Sequence, residues 1–267
     1  MLTTINGINI DYRDEGAGLP VIFIHAFPLN QTMWDDQLAA LSNHCRTITL
    51  DLRGFGQSDA PQGPYSMDQM ASDVRGLMSV LEVDQAVLVG LSMGGYISLA
   101  FYKNHPEAVR AMVLADTRAS ADTHEARERR LKSALKAERE GSPAIGEDMV
   151  PLLLGRTTIE SRPSVVERVR TTIEANSPNG IAAAQRGMAE RRDSTYILPG
   201  IDFPVLIIVG SEDTLTPVAE AESLRSGIRG ARLHIIEGAG HLSNIEGPKN
   251  FNAALTEFLE SVKTSSE

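Results

Sequence analysis

Short apolar runs separated by amphipathic stretches dominate the first half of the chain. Ile8, Ile10 and Tyr12 alternate with polar residues after Asn6-Gly7, a dipeptide tolerant of positive φ, so the chain is expected to open with an antiparallel strand pair. The runs at 21–24, 47–50, 86–89 and 111–115 have the character of strands covered on both faces. Between the second and third, Ser66 and Gln69 form a capping box, and Met70, Val74, Leu77 and Leu81 recur at intervals of 4, 3 and 4, which is one stripe of a helix. A second helical stretch over 93–105 stops at Pro106, whose ring and missing N–H cannot continue the ladder. Strand and helix alternating in this way imply an α/β fold with a mostly parallel central sheet flanked by helices.

The pattern changes after Asp116. From Arg118 to Tyr196 no strand-like run appears, and charged helical patterns such as 122–140 are punctuated by Gly141, Pro143, Pro163 and Pro178. Strand character returns at 205–209 and 233–236, and Pro248 opens a last helix carrying Phe251, Leu255, Phe258 and Leu259. The expected organisation is therefore one core domain in two parts, 1–117 and 197–267, interrupted by a helical lid over 118–196. A short polar tail, Thr264 to Glu267, ends the chain.

Composition narrows the function. A length of 267 residues suits one sheet domain with an insertion. The formal net charge of −10, with no local run of Lys and Arg, disfavours nucleic acid and anionic membrane surfaces as partners. The single cysteine, Cys45, can build neither a disulfide framework nor a cysteine-rich metal site. No basic region followed by an apolar core opens the chain, and no apolar run approaches the roughly 20 residues that span a bilayer, so a cytoplasmic protein is expected.

The chemistry centres on Gly90-Leu91-Ser92-Met93-Gly94, which lies between a predicted strand and a predicted helix. So sharp a turn strains the serine backbone and lifts Ser92 clear of the sheet, while the helix N-terminus aims N–H groups and the positive end of the helix dipole beside it. A serine hydroxyl is a weak nucleophile, and a histidine that takes and returns its proton is the base best suited to it. Of six histidines, His241 is the candidate, because the glycine-rich loop Gly238-Ala239-Gly240 carries it over the carboxyl edge of the sheet after the last predicted strand. His44 and His124 read as exposed, His105 as a helix end, His234 as a strand residue, and His25 as a hydrogen-bonding anchor.

The imidazole needs a carboxylate to hold its tautomer. Asp213, in the turn Gly210-Ser211-Glu212-Asp213 after a predicted strand, is preferred because Pro217 then opens a helix; Asp116, which also ends a strand, is the rival. The backbone amides of Met93 and Phe27 are the candidate oxyanion donors, the latter in the loop His25-Ala26-Phe27-Pro28. Every clustered His and carboxylate is thus assigned, and neither a metal nor a cofactor is expected.

With these motifs, together with Asp51-Leu52-Arg53-Gly54-Phe55-Gly56-Gln57-Ser58, the sequence resembles the α/β-hydrolase superfamily over nearly its whole length outside the lid. Within it, the stretch from His25 through Met33-Trp34 is most similar to the 3-oxoadipate enol-lactonase and carboxylesterase group, with cofactor-free haloperoxidases and perhydrolases next. One departure is Ala26, where that family usually has glycine. The resemblance implies hydrolysis of small carboxylic esters or lactones through an acyl-enzyme on Ser92, with Asp213 and His241 as partners and lid residues choosing the substrate. Arg118, Arg191 and Arg192, at the lid junctions, are its candidates for a substrate carboxylate. Two other activities compete: perhydrolysis on the same residues, and ligand binding without turnover. Substrate identity and oligomeric state stay open.

Overall fold

In the computed structural model, which describes residues 1–264, the apolar runs form one eight-stranded sheet in the order β1-β2-β4-β3-β5-β6-β7-β8. Its strands are β1 (Leu2–Ile5), β2 (Ile8–Glu15), β3 (Pro20–Ile24), β4 (Arg46–Leu50), β5 (Ala86–Leu91), β6 (Val109–Ala115), β7 (Val205–Gly210) and β8 (Arg232–Ile236). β1 and β2 form the expected hairpin about Asn6-Gly7, both at positive φ, and β2 runs antiparallel to β4; every other pairing is parallel. β5 and β7 are buried at every residue, as continuous apolar runs require. β8 differs: it has a single neighbour, and only Ile236 is fully buried, because an edge strand keeps part of its surface in water. The rest of the polar tail, residues 265–267, lies outside the described residues.

The helices are α1 (Asp35–Leu41), α2 (Met67–Val80), α3 (Met93–Asn104), α4 (His124–Glu140), α5 (Ser142–Leu153), α6 (Arg156–Ser161), α7 (Pro163–Glu174), α8 (Pro178–Ala189), α9 (Val218–Gly227), α10 (Ser243–Glu246) and α11 (Pro248–Thr264). Ser66 caps α2 by accepting from the Gln69 N–H at 3.1 Å, and α2 buries Met70, Val74 and Leu77 of the predicted stripe, whose fourth member, Leu81, is the partly buried C-cap. Between β6 and β7 the chain is helical, running through α4 to α8 and a 3-10 turn at Thr195–Gly200. Three of its prolines, Pro143, Pro163 and Pro178, act as openers rather than breaks, for each sits in the first turn of a helix, where a missing N–H costs nothing; Pro151 lies inside α5.

The strand order positions the site. From β3 the chain steps to β4 on one side and then crosses to β5 on the other, so the sheet reverses its winding between β3 and β5. In an open parallel sheet that reversal leaves a crevice at the carboxyl ends of the two strands. Phe27 follows β3 and Ser92 follows β5, while Asp116, Asp213 and His241 follow β6, β7 and β8 along the same edge.

Candidate functional site

Ser92 occupies the turn between β5 and α3 with φ 56° and ψ −110°, a conformation that an L residue holds only under constraint from its surroundings. Those constraints are visible: its N–H donates to Ala115 O at 2.8 Å, and its carbonyl accepts from the Thr117 hydroxyl at 2.8 Å. Gly94 lets the turn sit against the end of β3, since a Cβ there would lie 2.1 Å from Ile24 O. Met93 begins α3, where an N–H has no partner within the helix.

The His241 ring joins two groups. Nδ1 lies 2.8 Å from Asp213 Oδ2, and Nε2 lies 2.8 Å from Ser92 Oγ. With Nδ1–H donating to the carboxylate, Nε2 is left as the acceptor for the serine hydroxyl, the tautomer that a base requires. Ser92, Asp213 and His241 are 8%, 5% and 3% exposed, so little water competes for these bonds. Burial pushes the Asp213 carboxyl up, but the facing His241 and the hydrogen bonds from His241 and Thr216 outweigh it and hold the group below the ordinary carboxylate range.

Thr216 escaped the sequence reading. Its hydroxyl donates to Asp213 Oδ2 at 2.7 Å and lies 3.2 Å from His241 Nδ1, while its N–H and that of Leu215 donate to Oδ1 at 3.0 and 2.8 Å. The signal available was the step of two or three residues from an Asp to a turn amide, the geometry of an Asx turn. Asp116, the rival acid, is fully buried and turned elsewhere: it accepts from Gly210 N–H at 2.9 Å and from the N–H and hydroxyl of Ser243. Burial first, and the negative Asp213 next, drive its carboxyl well above the ordinary value.

The remaining residues of interest have plain roles. His25 is buried, its Nε2 accepting from Leu52 N–H and its Nδ1 meeting Ala26 O, both at 3.0 Å; burial lowers its pKa to about 4, so it stays neutral. Asp51 accepts from Gln31 N–H and Gln57 N–H, each at 2.8 Å, and so organises its own turn. Glu212 points away from the site and accepts from Thr157 on α6.

A cavity of about 430 Å³ opens over Ser92 and His241, in the range of small-molecule sites. The core supplies Phe27, Tyr96 and Thr216 to its wall, and the insertion supplies Arg118 and residues of α4, α5 and α8. Phe27 packs edge-on against Phe55 and lines the cavity. Of the arginines singled out in the sequence, only Arg118 lines this space. Arg191 lies over the Tyr96 ring at 3.9 Å and is held by Ala119 O, Ser120 O and Asp122, while Arg192 is exposed. Arg129 and Arg130 of α4 line the cavity as well, and Arg130 reaches Gln185 of α8 at 3.2 Å. Among the described residues, no cluster of three or more His, Cys, Asp or Glu has the geometry to hold a metal ion, and no helix is long and apolar enough to cross a membrane.

Known proteins share this architecture. A family model described as alpha/beta hydrolase fold matches residues 20–248. The 3-oxoadipate enol-lactonase 2 of Acinetobacter baylyi is 32% identical over 254 residues, spanning 94% of this chain and 93% of that enzyme. A thermophilic esterase from Thermogutta terrifontis, solved with malate bound, superposes with a TM-score of 0.94 at 40% identity, over 98% of this chain and 97% of its own. The enol-lactonase of Burkholderia xenovorans LB400 gives 0.91 at 31% identity, over 97% and 100%. The chain belongs to the α/β-hydrolase family.

Proposed function

We propose that the protein is a serine esterase or lactonase that cleaves small carboxylic esters through an acyl-enzyme on Ser92. The observation that carries this reading is the unbroken bond series from Ser92 Oγ through the His241 ring to Asp213 Oδ2, each step 2.8 Å. In the proposed reaction, Ser92 Oγ attacks the carbonyl carbon as His241 Nε2 takes its proton. The Phe27 and Met93 amides receive the oxyanion, each such donor being worth about 2.7–4 kcal/mol in comparable sites. His241 then returns the proton to the leaving alkoxide, which departs as an alcohol or, from a lactone, stays tethered to the acyl group. Water, activated by the same imidazole, releases the acid. The helices over the cavity act as a lid that excludes bulk water and shapes the acyl pocket.

The cavity wall favours an acid with a second negative group. Arg118, Arg129 and Arg130 line it; Arg118 and Arg130 are paired with Asp122, and the one carboxylate of the wall, Asp148, is engaged by Lys136 at 2.7 Å, which leaves Arg129 to meet a substrate anion. The malate held by the Thermogutta terrifontis relative is a dicarboxylate, in keeping with this reading. A fluorophosphonate probe followed by peptide mapping tests the nucleophile: labelling at Ser92, with Ser92→Ala lowering ester turnover about 10⁴-fold or more, is expected. Labelling at another residue, or only a tenfold loss, refutes it.

A further inference from the structure

His241 hangs on a segment, Gly238-Ala239-Gly240, that offers few side chains by which packing could hold it. Its placement falls instead to hydrogen bonds, and the two from the residues flanking His241 converge on one carboxylate. Glu246, at the end of α10, is 7% exposed. Its Oε1 accepts from the N–H groups of Gly240 at 2.9 Å and Leu242 at 3.2 Å, the residues on either side of His241. Its Oε2 accepts from Gly155 N–H at 2.8 Å, in the junction between α5 and α6, and the Thr158 hydroxyl of α6 donates to the same group.

The two stretches that this carboxylate joins also touch directly. His241 N–H donates to Leu153 O, the last residue of α5, at 3.0 Å, and a Cβ on Gly240 would lie 2.2 Å from Gly155 N. Arg162 Nη1 donates to the Glu246 carbonyl, tying α10 to the same insertion. Burial pushes the Glu246 carboxyl up, and the hydrogen bonds from Thr158, Gly155, Gly240 and Leu242 pull it back only in part.

We propose that Glu246 is a positioning residue: it sets the His241 imidazole through the backbone on both sides of it, and couples that setting to the helical insertion at Gly155 and Thr158. Displacement of the α5–α6 junction therefore shifts the base, and the insertion and His241 move as one body. The inference rests on the hydrolase reading above, in which His241 is the base. Glu246 reaches the reaction only through His241 and lines no part of the cavity.

Glu246→Gln tests the coupling, because an amide keeps one acceptor oxygen and presents N–H to the other pair of donors, so one of the two segments loses its hold. A misplacement on the ångström scale costs up to about 100-fold in rate, so kcat for an activated ester is expected to fall about 10- to 100-fold. KM should stay within about twofold, since the cavity is untouched. The rate of fluorophosphonate labelling at Ser92 should fall by the same factor as kcat, with circular dichroism showing a folded protein at the assay temperature. Thr158→Val, which removes a donor on the insertion side alone, should lower kcat in the same direction and add nothing further to Glu246→Gln. An unchanged kcat per folded molecule in Glu246→Gln, or losses that multiply in the double variant, overturns the proposal. If Glu246→Gln does not fold, Thr158→Val decides: a lowered Tm with unaltered kcat leaves Glu246 a purely structural role. A wild-type protein that neither hydrolyses esters nor takes up the probe instead refutes the hydrolase reading itself.

Discussion

Asp116 and Asp213 end neighbouring strands of one sheet, yet it is Asp213 that meets the imidazole, at 2.8 Å. Asp116 is spent on Gly210 and Ser243, and burial beside a second carboxylate favours its protonated form. Asp213→Asn is therefore expected to cost about 10⁴ in kcat through the wrong tautomer, as in other Ser-His-Asp sites. Asp116→Asn should keep kcat within about tenfold, because its carboxyl meets Gly210 and Ser243 rather than the imidazole, and Asn tolerates the φ of 44° found there. Steady-state kinetics on the two variants decide the matter, and equal losses would contradict it. Ser92 and His241 were legible because each sits in a glycine signature with a strand before it. Thr216 had only the spacing of an Asx turn from Asp213 to mark it, and Glu246 had no local mark at all, since a glutamate before a proline-opened helix does not show what it binds and its partner Gly155 lies in another loop.

At the level of elements, the strands and the α2 and α3 helices were legible from periodicity, with ends shifted by a residue or two. The insertion was legible as helical, but its division into α5, α6 and α7 was hidden, because its prolines mark helix starts and read equally well as breaks. One carboxylate holds the base of α4: Asp122, just before it, has a side chain only 1% exposed and pairs with Arg118, Arg130 and Arg191. Burial raises its pKa, but the three arginines outweigh that and hold it below the ordinary value. A depressed folded pKa means that the pairing stabilises in full above the unfolded value of about 3.9 and is lost as the pH falls through the folded value. Asp122→Asn should therefore lose about 3 kcal/mol at pH 7, the lower end for a buried pair, since two of the arginines are 20% exposed. Urea unfolding from pH 7 to pH 2 should then show a shallower acid dependence than the wild type. An unaltered midpoint at pH 7 would show the cluster to be energetically idle.

Across the whole molecule, a net charge of −10 surrounds a cavity lined by Arg118, Arg129 and Arg130, of which Arg118 and Arg130 are paired with Asp122, so the proposed preference for an anionic acid falls to Arg129. A charge-assisted hydrogen bond is worth about 1.5–3 kcal/mol, and kcat/KM for a p-nitrophenyl hemiester of glutaric acid should exceed that for p-nitrophenyl butyrate about tenfold or more. Arg129→Gln should narrow this ratio, and equal rates for the two esters in the wild type would remove the case for an anionic acid. The sequence by itself determined the class of fold, the segment that interrupts the sheet and the turns bearing Ser92, Asp213 and His241, because periodicity and turn chemistry are local properties of the chain. Only the tertiary structure decided which acid faces the imidazole, which arginines reach the cavity and how the loop of His241 is tied to the insertion. These depend on distances between strand ends and helices far apart in the chain, and those distances exist only once the sheet has set its order and the insertion has packed across its edge.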